Sequence, residues 1–274
     1  MFLTRRPSPS LAAHVAFLWY ADFGAVTADR VERVLPDGAM QLVVNLRDQP
    51  MRVFDRHRPS THVALPSAIL TGPTAEFNII SAADTASTVG VSFRPGGAAA
   101  FLGMPPAELF DRDLDLATAW GQCFADEVRN RTLECESAAA RLDGLDALLL
   151  RQWRGLDVTH RAVDWAVRAL SQRTAPPVAD IVGRVGMSHR RFIELFHAAV
   201  GLTPKRFSRL QRFQDLLRSA HATHEQGWAD LAAACGYSDQ AHLTHDFRAF
   251  SGLTPSDYLR RRTPFTNHVI ETQR

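Results

Sequence analysis

Cysteine is scarce in this chain, and its few copies are scattered. Cys123, Cys135 and Cys235 form an odd set with no CxxC pair, which signals neither a disulfide framework nor a zinc site. A reducing cytoplasm is the expected home. Lysine is scarcer still: Lys205 is the only one among 31 Lys and Arg residues. Long apolar runs are missing too. None approaches the roughly 18–20 residues of a membrane-spanning helix, and the opening "MFLTRRPSPSLAAHV" lacks the apolar core of a secretory signal. There is no Gly-rich phosphate loop and no GxSxG elbow, and "RPGGAAAFLG" does not spell a dinucleotide fingerprint. His14, His57 and His62 stand alone, without an HxH pair or a glutamate at ligand spacing. Nothing in the sequence therefore calls for a catalytic residue, a cofactor or a metal.

What is present has the balance of a soluble globular protein: 274 residues, 46% apolar and 22% charged, enough for one large domain or two ordinary ones. The formal net charge of +2 hides an asymmetry. Residues 1–157 hold 15 Arg against 19 Asp and Glu, net −4. Residues 158–274 hold 16 Lys and Arg against 10 Asp and Glu, net +6, together with eight of the eleven histidines. A basic second part beside a mildly acidic first part suggests two domains, the second facing a polyanion, although +6 by itself is also ordinary surface charge.

Short apolar or β-branched runs fill the chain to about residue 93: "VERVL", "MQLVVNL", "MRVF", "THVAL", "SAIL", "FNII" and "STVGVSF". Turn formers such as Pro36-Asp37-Gly38, Asp48-Gln49-Pro50 and Gly72-Pro73 separate them, which predicts an antiparallel sandwich or small barrel. From about Gly97 the period becomes helical. Leu142, Leu145, Leu149 and Trp153 recur at helical spacing, and "HRAVDWAVRAL" continues with Val163, Val167 and Leu170. The prolines of "TAPP" (Thr174–Pro177) then break the pattern and open a new helix. The predicted class is α+β: a β-rich domain with trailing helices over 1–155, then an all-α domain over 156–274.

The second part contains a repeat. "VGLTPKRF" at Val200–Phe207 returns as "SGLTPSDY" at Ser251–Tyr258. Upstream, Ala179/Ala229, Asp180/Asp230, Gly186/Gly236 and Ser188/Ser238 are identical, as are Phe196/Phe247 and Ala198/Ala249 after one inserted residue. Each copy reads as a short helix, a glycine turn, and a second helix capped by Ser188, or by Ser238 or Asp239. Gly201 or Gly252 ends that second helix; the threonine of GLTP can cap the next one, and its proline tolerates the first turn. Helix, glycine turn and capped helix make a helix-turn-helix, whose second helix enters the DNA major groove. The predicted units span about 178–200 and 228–251.

Phe192 and Phe196, or Leu243 and Phe247, would face the core. The other faces then present His189, Arg190, Arg191, Ile193, Glu194 and His197 in the first unit, and Gln240, Ala241, His242, Thr244, His245 and Arg248 in the second. Arginine can pair with guanine, glutamine with adenine, and glutamate can accept from cytosine. Lys205, Arg206, Arg209 and Arg212, on the helix joining the units, form either a phosphate-facing stripe or internal salt bridges.

Residues from about 160 to 262, above all "CGYSDQAHLTHDFRAFSGLTPSDYLR", resemble the AraC/XylS family of bacterial transcription regulators. The resemblance implies base-facing positions at Arg190, Glu194, Gln240, His242 and His245, and the outward His189 is expected beside them. From the outward faces and the joining helix, DNA-backbone contacts are expected from Arg191, Thr244, Arg248, Lys205 and Arg209. Members usually carry a basic residue where Glu194 and His245 stand, so a different half-site or greater reliance on the second unit is expected. "RVLPDGAMQLVVNL", Gly72-Pro73, "VGVSFRPGGAAAFLG" and "AELFDRDLDLATAWG" resemble the cupin-like N-terminal domain of one subgroup, which implies small-molecule sensing or dimerisation. The expected partners are double-stranded DNA, a small-molecule effector, a second copy of the chain and RNA polymerase. The excess of arginine over lysine fits a GC-rich bacterial genome.

Two other readings compete. One is an enzyme, such as an alkylation-repair protein, fused to this DNA-binding unit; it needs an activated cysteine, whereas carboxylates flank both Cys123 in "WGQCFADE" and Cys135 in "LECES". The other is a plain adaptor with no salt-dependent affinity for DNA.

Overall fold

Each of the seven apolar runs folds as a strand, because alternate residues can be buried while the rest face outward or across a gap. The computed structural model describes residues 1–155, 159–222 and 227–271. The expected junction after Gly155 and residues Thr223–Glu225, in the linker between the two units, lie outside the described residues. In chain order the strands are β1 (Phe2–Arg5), β2 (Val15–Asp22), β3 (Val31–Val34), β4 (Gln41–Asn45), β5 (Met51–Phe54) and β6 (His62–Leu65). They continue with β7 (Ala68–Thr71), β8 (Asn78–Ser81), β9 (Ser87–Phe93), β10 (Asp113–Asp115) and β11 (His268–Ile270).

All pairings are antiparallel, in two sheets ordered β1-β2-β9-β4-β7-β10 and β11-β3-β8-β5-β6. This corrects the barrel half of the expectation. Each sheet keeps two edge strands of only three or four residues, and no pairing among the described residues joins them into a closed ring.

Strand alternation sorts the six-stranded sheet into two faces. Leu18, Leu42, Leu70, Val89 and Val91 point to one side and pack with helices α1 (Leu116–Trp120), α2 (Gln122–Glu134) and α3 (Ala138–Gln152). Phe17, Trp19, Val43 and Ile69 point to the other, toward the five-stranded sheet, and line a cavity of about 940 Å³.

The remaining helices are α4 (Arg161–Leu170), α5 (Val178–Val185), α6 (His189–Val200), α7 (Pro204–Ala222), α8 (Trp228–Ala234), α9 (Gln240–Ser251) and α10 (Pro255–Arg261). Helix α7 is the shared spine of both units. It buries Phe207, Leu210, Phe213, Leu216 and Leu217, and each such side chain contributes about 1.5–3 kcal/mol on removal from water. Phe207 meets Phe196 of α6 at 5.7 Å between ring centroids, and Phe213 meets Phe247 of α9 at 5.3 Å.

Beyond α10 the chain returns to the first part: β11 pairs with β3, His268 opposite Val34 and Ile270 opposite Glu32. A three-residue strand carries no readable period and is not foreseeable from sequence. The helical core likewise takes in Leu35 and Ala75 from the first part.

The two GLTP segments close their helices as the repeat implies and also form the seam between the parts. Thr203 Oγ1 accepts from the Arg206 amide at 3.3 Å, and Thr254 forms a reciprocal capping box with Asp257. Gly201 and Gly252 both have left-handed backbones, φ 81° and 66°. Gly201 abuts Pro73, and a Cβ at Gly252 would stand 2.6 Å from Arg33 and Phe77.

Gly186, also left-handed, has open space around its Cβ position. We therefore expect Gly186→Ala to cost about 1 kcal/mol, the left-handed penalty alone, and Gly252→Ala at least about 2 kcal/mol because overlap is added. Urea denaturation of the two variants measures the difference; equal losses would show that the seam gives way freely.

Candidate nucleic-acid interface

The first unit is set by its turn and cap. Helix α5 ends at Gly186 (φ 66°), and Ser188 Oγ accepts from the Arg191 amide at 3.3 Å to start α6. Phe192, Phe196 and Val200 go into the core, so His189, Arg190, Arg191, Glu194 and His197 are left exposed, with Ile193 half-buried. Arg190 and Glu194, one turn apart, pair at 2.9 Å with side chains 90% and 51% exposed. An exposed pair of this kind contributes only about 0.3–0.5 kcal/mol, little enough for a base edge or phosphate to replace.

In the second unit Asp239, rather than Ser238, is the cap. Its Oδ1 accepts from the His242 amide at 2.7 Å, and this bond with the Ser238 hydroxyl holds its carboxyl below the usual range. Leu243, Asp246, Phe247 and Phe250 are buried. The opposite face brings Gln240, Ala241, Thr244, His245 and Arg248 around one open concavity. Gln240, His245 and Arg248 are exposed there, while the Thr244 hydroxyl donates to the Gln240 carbonyl at 2.8 Å.

His242 differs from its neighbours. It is half-buried, with Nδ1 3.2 Å from Ser238 Oγ, its ring edge-on to Tyr237, and Nε2 3.9 Å from Asp246. Its side chain braces the start of α9.

The arginines of α7 are mostly occupied within the protein. Arg206 lies over Phe110, Arg212 over Tyr237, and Arg209 over Phe250. Arg209 also donates to Asp246 Oδ1 at 2.6 Å, and Asp246 is only 1% exposed. Lys205 and Arg191 are exposed. Beside the Arg209–Asp246 pair, burial and the Asp246 charge push the Tyr237 phenol above its ordinary range. Asp246 was missed by sequence reasoning, yet it had a signal: a carboxylate between Leu243 and Phe247 on the apolar face of α9 requires a cation. The three cysteines lie apart, Cys123 exposed, Cys135 half-buried and Cys235 buried.

Comparison with known proteins adds the following. Residues 181–261 match the model described as a helix-turn-helix domain, and residues 3–115 match a domain of unknown function, DUF6597. Over 81 residues, 30% of this chain, the sequence is 27% identical to the probable transcriptional regulator LumQ of Photobacterium leiognathi. The chain spans about a third (32%) of the length of that curated relative. Among solved structures, an apo ToxT variant from Vibrio cholerae aligns with TM-score 0.48 and 13% identity, covering 94% of this chain and 97% of that one. Vibrio cholerae ToxT bound to (E)-4-(8-methylnaphthalen-1-yl)but-3-enoic acid aligns with TM-score 0.47 and 14% identity, covering 94% and 98%.

Asp246→Ala would strand the Arg209 guanidinium beside a new void. The expected loss is about 2 kcal/mol in urea denaturation. A loss within about 0.5 kcal/mol, the range of a surface substitution, would show that water already serves Arg209 equally well.

Proposed function

We propose, from the premise that residues 181–261 form a helix-turn-helix domain of the AraC type, that this chain is a sequence-specific DNA-binding transcription regulator. One observation carries the reading: two capped helices, α6 and α9, share the spine α7, and each turns a row of exposed polar side chains away from the core. Inserted into successive major grooves on one face of a duplex, two such helices read segments about 34 Å, or about 10 base pairs, apart. The rows differ in sequence, so the half-sites should differ too, and one chain suffices for a non-palindromic site.

Within this reading Gln240 and His245 face bases, and so do His189 and the Arg190–Glu194 pair. Arg191, Arg248 and Lys205 face phosphates, with Thr244 beside them. His242 and Arg209 act mainly by holding α9 in position, given their partners Tyr237 and Asp246. The cavity between the sheets supports control by a small molecule bound in the N-terminal domain. A homodimer through that domain and a contact with RNA polymerase belong to the same reading, and the DNA target puts the protein in the cytoplasm.

Binding-site selection from random duplex, followed by footprinting at two salt concentrations, tests the reading. A protected stretch of about two helical turns with two unlike half-sites is expected; binding without sequence preference would overturn it. In the same assay Gln240→Ala should relax specificity at one or two positions, at a cost of about 1–3 kcal/mol. Arg248→Ala should weaken all duplexes alike and reduce the salt slope by about one. Equal losses on specific and random DNA from both variants would refute these separate roles.

A further inference from the structure

The Pro36-Asp37-Gly38 turn and the cavity beside it take no part in DNA recognition. The cavity, at about 940 Å³, is within the roughly 300–1,000 Å³ of small-molecule sites. Much of its wall is apolar and aromatic, with Phe17, Trp19, Phe23, Val43, Ile69 and Phe265 among its residues.

The charged groups in the wall fall into two sets. Arg30 is engaged by Glu32 at 2.6 and 3.0 Å, His268 by Glu32 at 2.9 Å, and Arg52 by Asp84 at 2.7 and 2.9 Å. Asp37 and Asp113, by contrast, have no basic side chain within ion-pair distance among the described residues. A polar row connects them across the sheet. Asp37 Oδ2 accepts from Gln41 Nε2 at 3.5 Å, Thr71 is the strand partner of both Gln41 and Asp113, and the Thr71 side chain hydrogen-bonds Asp113. Burial pushes both carboxyls above their usual range, a cost that a bound cation would relieve.

We propose that this cavity binds a small molecule with an aromatic body and a protonated amine, the amine seated against Asp37 and Asp113. The arginines of the wall are already paired with acids, so a carboxylate ligand would meet two acids outside any ion pair, Asp113 feeling only the more distant charge of Arg56, and no cation in need of a partner. An ammonium would instead donate charge-assisted hydrogen bonds to these carboxylates. The proposal rests on the reading of the N-terminal domain as a small-molecule sensor and names the class of ligand it takes.

The turn that carries Asp37 also touches the DNA-binding part. Gln214 Nε2 of α7 donates to the Pro36 carbonyl at 2.6 Å, and Gly38 lies against Leu210 of the same helix. Residues Thr263–His268, just beyond the second unit, close another side of the cavity. An amine drawn against Asp37 therefore acts on a turn docked on the helix that joins both reading units.

Calorimetric titration of the full chain with tryptamine and with indole-3-propionate tests the assignment, since the two share an indole body and differ in the sign of the end charge. Tryptamine should bind at least about tenfold more tightly than indole-3-propionate, and Asp37→Asn and Asp113→Asn should each weaken it by about tenfold. Equal or tighter binding of the propionate, tryptamine affinity indifferent to both substitutions, or no binding of either compound overturns the proposal. Asp113 lies on an edge strand, so Asp113→Asn carries the test if Asp37→Asn does not fold. The same preparations are assayed on the selected duplex. Sequence-specific DNA binding without tryptamine binding sinks this proposal alone; tryptamine binding without sequence preference on DNA sinks only the DNA-reading role.

Discussion

A guanidinium taken out of water must find acceptors, and in this protein Arg33 finds them far along the chain, at Ser251 and Glu271. It is 8% exposed; Nη1 donates to the Ser251 carbonyl at 2.6 Å, Nε pairs with Glu271 at 2.8 Å, and the group lies 3.9 Å from the Phe77 ring centroid. Those partners are the last residue of α9, the segment just after β11 and the loop before β8. One side chain thus joins α9, the returning C-terminal strand and the five-stranded sheet. Gly252 sits against the same arginine, so the left-handed turn that ends α9 is also where the two parts meet.

Strand alternation gives this contact a second consequence. Arg33 points to the helices, while its neighbours Glu32 and Val34 line the cavity between the sheets. Glu32 is held below the ordinary carboxylate range by His268 and Arg30 although burial works against its charge, so its pairing with the returning strand is present near neutral pH and is lost as pH falls through the acid range. The interior of the N-terminal domain and the end of α9 are therefore two faces of one four-residue strand.

The basic charge of the helical part is less available than its net value suggests. Arg206, Arg209 and Arg212 are stacked on aromatic rings, and Arg209 is also paired with buried Asp246. Exposed cations on or beside the two capped helices include Arg190, Arg191, Lys205 and Arg248, and Arg206 stays exposed although it lies over Phe110. Under the proposed role, affinity for phosphates would scale with such outward charges, whereas Arg209, paired with Asp246 of α9, ties that helix to α7.

The seven predicted strands, the helices and the repeat were legible because the signals involved are local. Periodicity places Phe192 and Phe196, or Leu243 and Phe247, on one face, and the outward rows of α6 and α9 follow by subtraction. Caps such as Ser188, Asp239 and Thr254 act within three residues of themselves. The inward turn of His242, the pairing of Arg209 with Asp246, the strand β11 and the cavity were not legible, because each depends on groups brought together only by folding. By itself the sequence determined seven of the eleven described strands, the helices of the repeat with their caps, and the outward faces of α6 and α9. Tertiary structure alone decided which arginines face outward and that the chain's end closes the N-terminal cavity, since a contact between residues 218 apart, as from Arg33 to Ser251, leaves no periodic trace.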